Sequence, residues 1–268
     1  MIAFIVASDQ VELVSGELWA AGVAGIEERC GPDGQVELIV AHGSEALEEI
    51  ANRRPNRRIE ADPDEWVHTW RPWARAVEVA PGVVVRPPWV APSGAPLEVV
   101  IDPDRAWGHG AHPTTVLCVG WLARRLPIPR RVLDVGCGSG TLSVAAALLG
   151  ADVVVAIDVD PEAHLATTVN AKANGVADRV GVSDDLVEDV EGVYDVVLAN
   201  IGAQTVCDLA PHLVAKLAEG ARVALSGLFS ADVESVAAVF RPLGVLVDDV
   251  EERDGWALLV LAHPVDLR

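Results

Sequence analysis

Residues 131–161 read RVLDVGCGSGTLSVAAALLGADVVVAIDVDP. A short apolar run, Val132-Leu133, ends in Asp134, and glycines follow at 136, 138 and 140. A helix-length apolar segment, Thr141 to Leu149, closes on Gly150, and a β-branched run, Val153 to Ile157, ends in Asp158. Strand, glycine turn, helix and strand make one βαβ unit of a parallel sheet. Without a Cβ at Gly136, Gly138 and Gly140 the backbone turns sharply and a ligand approaches closely. Asp158 ends the second strand, where a carboxylate accepts hydrogen bonds from both hydroxyls of a ribose.

The dinucleotide fingerprint is G-x-G-x-x-G, with a pyrophosphate on the following helix N-terminus. Here the spacing is G-x-G-x-G, and Asp134 sits two positions before the first glycine. A carboxylate at that point repels a pyrophosphate and attracts an ammonium or a sulfonium. S-adenosyl-L-methionine carries both cations and a ribose, and no phosphate. D-V-G-C-G-S-G followed by an acid-ended strand resembles the cofactor site of class I methyltransferases. The resemblance implies that cofactor, held by Asp134, the three glycines, Asp158 and Val159.

The chain has 268 residues, half of them hydrophobic, so it is long enough for two domains and a large buried core. No run approaches the roughly 18 uninterrupted apolar residues of a membrane span, and Met1 to Ala7 reads as a strand rather than a signal peptide. Cysteines at 30, 118, 137 and 207 form no C-x-x-C pair, which fits a reduced, cytoplasmic protein. The net charge of −20 repels phosphate backbones, so direct nucleic-acid binding is not expected. Such a surface suits a basic protein partner, or simply keeps an enzyme soluble.

Residues 1–62 read as a small unit. Strands are expected at Ile2 to Ala7, Ile26 to Cys30, Val36 to Val40 and Arg57 to Ala61, with helices over Val11 to Ala21 and from Ser44 onward. The order βαββαβ is the ferredoxin-like pattern. It contains no nucleophile, metal cluster or phosphate loop, so a role in presenting substrate is the expectation. In residues 63–76 Trp66, Trp70 and Trp73 share one helix face, either as packing or as a cage for a methylated lysine. Val77 to Ile101, rich in proline, reads as short hairpin strands leading into a catalytic domain that runs over 77–268.

The second informative stretch is Ile101 to Thr115, IDPDRAWGHGAHPTT. His109 and His112 suggest a metal pair, but no third ligand lies at matching spacing, and no metal is expected. D-P-D-R-A-W-G-H-G-A-H-P-T-T, with D-V-G-C-G-S-G some twenty residues on, resembles the ribosomal protein L-eleven methyltransferase family (PrmA type). The match extends to W-x-x-x-W at Trp66 and Trp70, I-D-V-D-P at 157–161, N-A-K-x-N-G at 170–175 and A-N-I at 199–201. What the resemblance implies is a Rossmann-like α/β methyltransferase domain joined by a linker to a small ferredoxin-like α+β domain that docks the substrate. It also implies methylation of amino groups on a large-subunit ribosomal protein. Thr115, Gly136, Asp158 and Asn200 match the family's cofactor-contacting positions, and Trp107, Gly108, His109 and Gly110 lie where the methionine end of the cofactor should be. The chain departs from the family at His109 (usually threonine), at Trp107 (usually phenylalanine) and in I-G-A-Q-T after Asn200. Those departures keep open another protein or a small amine as acceptor, and a protein that binds the cofactor without transferring its methyl.

Farther along, a helix is expected over Pro161 to Asn174 and a short strand at Val180 to Val182. After that strand Asp185 either meets the adenine amino group or lies in a solvated turn. The apolar run Tyr194 to Ala199 reads as a central strand that delivers Asn200 to the carboxyl edge of the sheet. Asn200 is the candidate catalytic residue, its side-chain oxygen aiming an amine, or else a cofactor contact alone. Helices over Val206 to Leu217 and Ser230 to Phe240 flank a strand at Ala221 to Leu225, and a hairpin of Val245 to Glu251 with Trp256 to Leu261 closes a mostly parallel sheet.

Overall fold

The computed structural model describes residues 1–21, 23, 27–30, 35–40, 45–59, 74–104, 106, 108, 110–124 and 130–263. The tryptophans at 66, 70 and 73, most of segment 63–76, Trp107 and His109 lie outside the described residues. The chain forms two compact units, Met1–Thr69 and Trp70–Arg268.

In the first unit the strands β1 (Ile2–Ala7), β2 (Glu27–Cys30), β3 (Gln35–Val40) and β4 (Asn56–Arg58) form an antiparallel sheet of order β2-β3-β1-β4. The helices α1 (Val11–Ala20) and α2 (Glu45–Arg53) supply Val14, Leu18, Leu47 and Ile50 to a core with Ile2, Phe4, Val6, Leu38 and Val40. Ile2, Phe4 and Val6 alternate along β1, so all three share a sheet face. Burying each such side chain contributes about 1.5–3 kcal/mol. β4 begins earlier than Arg57 because Pro55 cannot continue α2, and its carbonyl already accepts the Ile5 N–H at 3.0 Å.

The second unit opens with a three-stranded sheet, β5 (Val77–Ala80), β6 (Val83–Arg86) and β7 (Leu97–Val100). β5 and β6 form the expected hairpin, but β7 lies parallel to β6 rather than antiparallel. Its direction is set by the proline-rich connection, which folds back along the sheet around the Glu98 carboxylate. That group accepts from Arg86 Nε at 2.6 Å, Ser93 N–H at 2.6 Å and Gly94 N–H at 3.1 Å.

Seven strands follow: β8 (Arg131–Val135), β9 (Val153–Ile157), β10 (Val180–Ser183), β11 (Tyr194–Asn200), β12 (Leu217–Phe229), β13 (Leu246–Arg253) and β14 (Trp256–Ala262). They pair in the order β10-β9-β8-β11-β12-β14-β13, the first five parallel and the last two antiparallel. On one face α3 (Pro113–Ala123), α4 (Thr141–Leu149) and α5 (Pro161–Ala173) cover Val132, Val154 and Leu198. On the other, α6 (Ala203–Ala215) and α7 (Val233–Phe240) cover Leu133, Val197 and Leu225.

Two boundaries differ from expectation. α6 starts at Ala203, with Pro211 inside it, instead of at Val206. β12 runs from Leu217 through Gly220 and Gly227, well beyond Ala221 to Leu225. Gly227 has φ +80°, and a Cβ there would stand 2.5 Å from the Ile201 carbonyl oxygen, so glycine lets the strand continue past the end of β11.

Candidate cofactor site

β8 has β9 on one side and β11 on the other, so the order of the sheet reverses at β8. Connections leaving the carboxyl ends of such neighbours diverge to opposite faces and leave a crevice where ligands of open α/β sheets bind. Gly136 to Gly140 follow β8, Asp158 and Val159 follow β9, Asp185 follows β10, and Asn200 ends β11. One sheet edge therefore carries most of the candidate residues.

The glycine turn is tightly tied to the protein. Gly136, Gly138 and Gly140 have φ of +72°, +52° and +78°. At Gly140 a Cβ would lie 2.6 Å from Thr167 Oγ1, so side-chain-free backbone is what lets α5 pack against the start of α4. Gly136 N–H and Cys137 N–H both donate to the Ile157 carbonyl, at 2.9 and 3.1 Å. Gly138 N–H donates to Asp158 Oδ2 at 2.9 Å and Gly140 N–H to the Cys137 carbonyl at 2.8 Å. These four amides are satisfied within the chain and do not form a cradle for a diphosphate.

Asp158 is fixed from both sides, because its Oδ1 accepts the Asp160 N–H at 3.0 Å. Asp160 in turn caps α5 through the Glu162 N–H at 2.9 Å. His164 Nε2 stands 2.6 Å from the Asp158 carbonyl oxygen. The carboxylate is thus held at the mouth of the crevice, part-exposed, beside the turn. Val159 next to it is 79% exposed. Asp158 N–H also contacts the Ser183 carbonyl at 3.4 Å, so the ends of β9 and β10 emerge together. Asp185 is exposed and its carboxylate takes the Ser183 hydroxyl at 2.8 Å.

Asp134 lies below the turn and is 1% exposed. Its Oδ2 accepts from Ser143 Oγ at 2.5 Å, while Oδ1 is buried without a donor among the described residues. Burial pushes its pKa up to about 6, and the nearby Asp158 charge adds to the rise against the lowering effect of the Ser143 hydrogen bonds. A buried carboxylate with an orphaned oxygen costs free energy until a cationic donor reaches it.

The segment before α3 is laced to the turn. The Gly108 carbonyl accepts from Ser139 Oγ at 2.5 Å and from Thr141 Oγ1 at 3.0 Å. Gly110 is buried, and a Cβ there would run into Val85. Thr115, 3% exposed in the first turn of α3, has its hydroxyl 3.5 Å from Asn200 Nδ2, a long contact that nevertheless brings those two together.

Several participants were not among the candidates: Ser139, Thr141, Ser143, His164 and, above all, Asn170 and Asn174. Asn174 brackets Val100, accepting its N–H at 2.9 Å and donating to its carbonyl at 2.6 Å. Asn170 treats Asp102 the same way and also donates to the Ser139 carbonyl at 2.9 Å. Two asparagines at i and i+4 on one helix face were the available signal.

A phosphate-free nucleoside bearing positive charge fits these residues. Four of the turn's amides are already taken up, one negative charge flanks the turn above and an unsatisfied carboxylate oxygen waits below. Asp158 is oriented by two backbone N–H groups.

A family profile described as "Ribosomal protein L11 methyltransferase (PrmA)" matches residues 35–264. A ribosomal protein L11 methyltransferase from Symbiobacterium thermophilum is 35% identical over 260 residues, 96% of this chain and 85% of that one. Another, from Geobacter sp. strain M21, is 39% identical over 210 residues, 75% of this chain and 68% of its own length. The crystal structure of a ribosomal protein L11 methylase from Lactobacillus delbrueckii subsp. bulgaricus aligns with a TM-score of 0.65 at 29% identity, covering 70% of this chain and 98% of that one.

Proposed function

The chain belongs to the ribosomal protein L11 methyltransferase family, and from that premise we propose that it transfers methyl groups from S-adenosyl-L-methionine to amino groups of ribosomal protein L11. The observation that carries the proposal is the glycine turn, four of whose amides are taken up by its own hydrogen bonds, flanked by the carboxylates of Asp134 and Asp158. Residues 1–62 would dock the acceptor, 63–76 would link, and 77–268 would bind the cofactor and carry out the transfer. The net charge of −20 favours a basic protein partner over nucleic acid. Among the described residues no helix is long and apolar enough to cross a membrane, and a ribosomal acceptor points to the cytoplasm.

In this mechanism Asp158 holds the ribose hydroxyls, and Asp134 balances the positive charge of the methionine end. The Gly108 and Gly110 segment and Thr115 would hold that end, with Trp107 and His109 in the same stretch of sequence, and Val159 and Asp185 would take the adenine. When bound, S-adenosyl-L-methionine supplies a methyl on a cationic sulfur that a neutral amine accepts as the sulfur leaves with the bonding electrons. A lysine of pKa about 10.4 costs roughly 4.6 kcal/mol to deprotonate at pH 7. Enclosure beside positive charge lowers that cost, so no side-chain base is needed and the protein's task is orientation. With its Nδ2 turned toward Thr115, Asn200 leaves Oδ1 to accept an N–H of the amine and aim its lone pair.

The test is incubation of the purified chain with methyl-labelled cofactor and a ribosome-containing lysate. One small labelled band, identified by mass spectrometry as ribosomal protein L11, is the expected result. Label in the low-molecular-weight fraction would assign a small amine instead. Cofactor binding with no label anywhere would make the protein a binder and not an enzyme.

A further inference from the structure

Residues 51–58 read ANRRPNRR, so four of the chain's 20 basic residues fall within six positions of a protein whose acidic residues number 40. Three of those arginines are matched inside the first unit. Arg54 donates to both carboxylate oxygens of Glu17, at 2.8 and 2.6 Å. Arg57 treats Glu37 alike, at 3.1 and 2.8 Å, and Arg58 reaches Glu48 at 2.7 Å. Arg53 is used differently. Its Nε donates to the Glu49 carbonyl at 3.0 Å, near the end of α2, while Nη1 and Nη2 meet no acceptor among the described residues. Arg53, Arg54 and Glu17, together with the buried Ile50, line an open cavity of about 310 Å³ between α1 and α2.

The wall of this cavity is set by the fold itself. Arg54 N–H donates to the Ile50 carbonyl at 3.1 Å, and the Arg54 carbonyl accepts from Asn56 Nδ2 at 2.9 Å. The Glu17 carboxyl is held below its ordinary pKa, chiefly by its hydrogen bonding to Arg54, and the Arg53 charge adds to the effect. Two guanidinium groups against one carboxylate leave a single surplus positive charge in the cavity. We propose that this cavity binds one carboxylate carried on a short alkyl stem. With Nε of Arg53 occupied by Glu49, the open end of the fork is its Nη1 and Nη2 pair, whose parallel N–H groups match the two oxygens of a carboxylate. The stem rests on Ile50. A phosphate monoester, at about −1.5 to −2, overfills a site with one surplus charge and is repelled by Glu17. The volume stands at the low end of the range for small-molecule sites, about 300–1,000 Å³, which suits a stem of a few carbons. A free aliphatic acid and the carboxyl terminus of a protein both present this group.

The test is an NMR titration of the isotope-labelled full chain at constant ionic strength, following the backbone amides of Glu17, Ile50, Arg53 and Arg54. Pentanoate is expected to move these signals with a Kd of about 1–10 mM, since a guanidinium open to water holds its partner weakly. Uncharged pentanamide is expected to leave them in place. Arg53→Gln, an exchange at an exposed position, is expected to weaken pentanoate binding at least tenfold while the rest of the spectrum stays as in wild type. A short peptide ending in a free leucine carboxylate separates the two sources. If it binds more tightly than pentanoate and its amide does not bind, the ligand is a protein's carboxyl terminus. If pentanoate binds more tightly, the ligand is a free acid, and either order supports the site. Equal shifts from pentanoate and pentanamide, equal pentanoate affinity in Arg53→Gln and wild type, or tighter binding of inorganic phosphate than of pentanoate overturns it.

Discussion

The side-chain amide of Asn170 holds Asp102 by both backbone polar groups, accepting its N–H at 3.0 Å and donating to its carbonyl at 2.8 Å. A third bond reaches the Ser139 carbonyl inside the glycine turn. One 2%-exposed side chain thus fastens α5, the turn and the segment leading to Gly108 to each other. Asn170→Ala removes all three bonds in a buried place, where each abandoned group costs about 1–3 kcal/mol. Urea unfolding is expected to show a loss of about 2 kcal/mol or more, and titration calorimetry a cofactor affinity weakened at least tenfold. A change in stability with no change in affinity would confine Asn170 to packing.

Asp158 meets two backbone N–H groups with its two oxygens and remains part-exposed. Its remaining lone pairs are those a ribose diol would use. Hydrogen bonds to a charged acceptor contribute about 1.5–3 kcal/mol each. Asp158→Ala is expected to weaken cofactor binding roughly a hundredfold, read by calorimetry, with little change in melting temperature.

Asp134 sets a pH dependence whose sign follows from its raised pKa. Between about pH 4 and pH 6 the folded protein keeps a proton that the unfolded chain releases, so stability falls as pH rises through that window. The full difference is about 3 kcal/mol, at 1.36 kcal/mol for each pKa unit. Asp134→Asn, which cannot ionise, is expected to flatten this part of the profile and melt higher than wild type at pH 8 without cofactor. The same exchange removes the negative charge under the turn, so the variant's cofactor affinity should drop. Melting curves from pH 4 to 8, with and without cofactor, check both halves.

Asn200→Ala separates orientation from binding. Loss of the amide at the end of β11 is expected to reduce kcat at least tenfold while the cofactor Kd changes less than threefold. Unchanged turnover would remove Asn200 from the transfer step and leave it beside Thr115 as a cofactor contact.

The βαβ unit from Arg131 to Ile157 was legible because its signals are local: a β-branched run, alternating glycines, a helix-length apolar stretch and a second run. The closing hairpin and the sheet of the first unit were legible for the same reason. Strand direction was not. Nothing within Leu97 to Val100 distinguishes a parallel from an antiparallel partner, and the deciding contacts come from Glu98 gathering the loop before it. The start of α6 escaped because Gly202 offers no capping side chain. Asn170 escaped because its partners Asp102 and Ser139 lie 68 and 31 residues away in sequence. Asp134 and Asp158 were legible as residues, but the direction of each carboxylate was not.

The outermost strand, β13, exposes Leu246, Val247 and Val250 along an edge that, among the described residues, pairs with no further strand. Between and beyond these side chains stand Asp248, Asp249, Glu251 and Glu252; Asp248 pairs with Arg222 and Glu251 with Arg124. A second molecule seeking to extend the sheet here would have to bring its own acidic strand alongside this one. Like charges at strand spacing repel, and that repulsion acts as a gatekeeper against fibre growth. Replacing those carboxylates by neutral amides would leave an apolar ribbon open to its copies, so such a variant is the form of this chain that should clump.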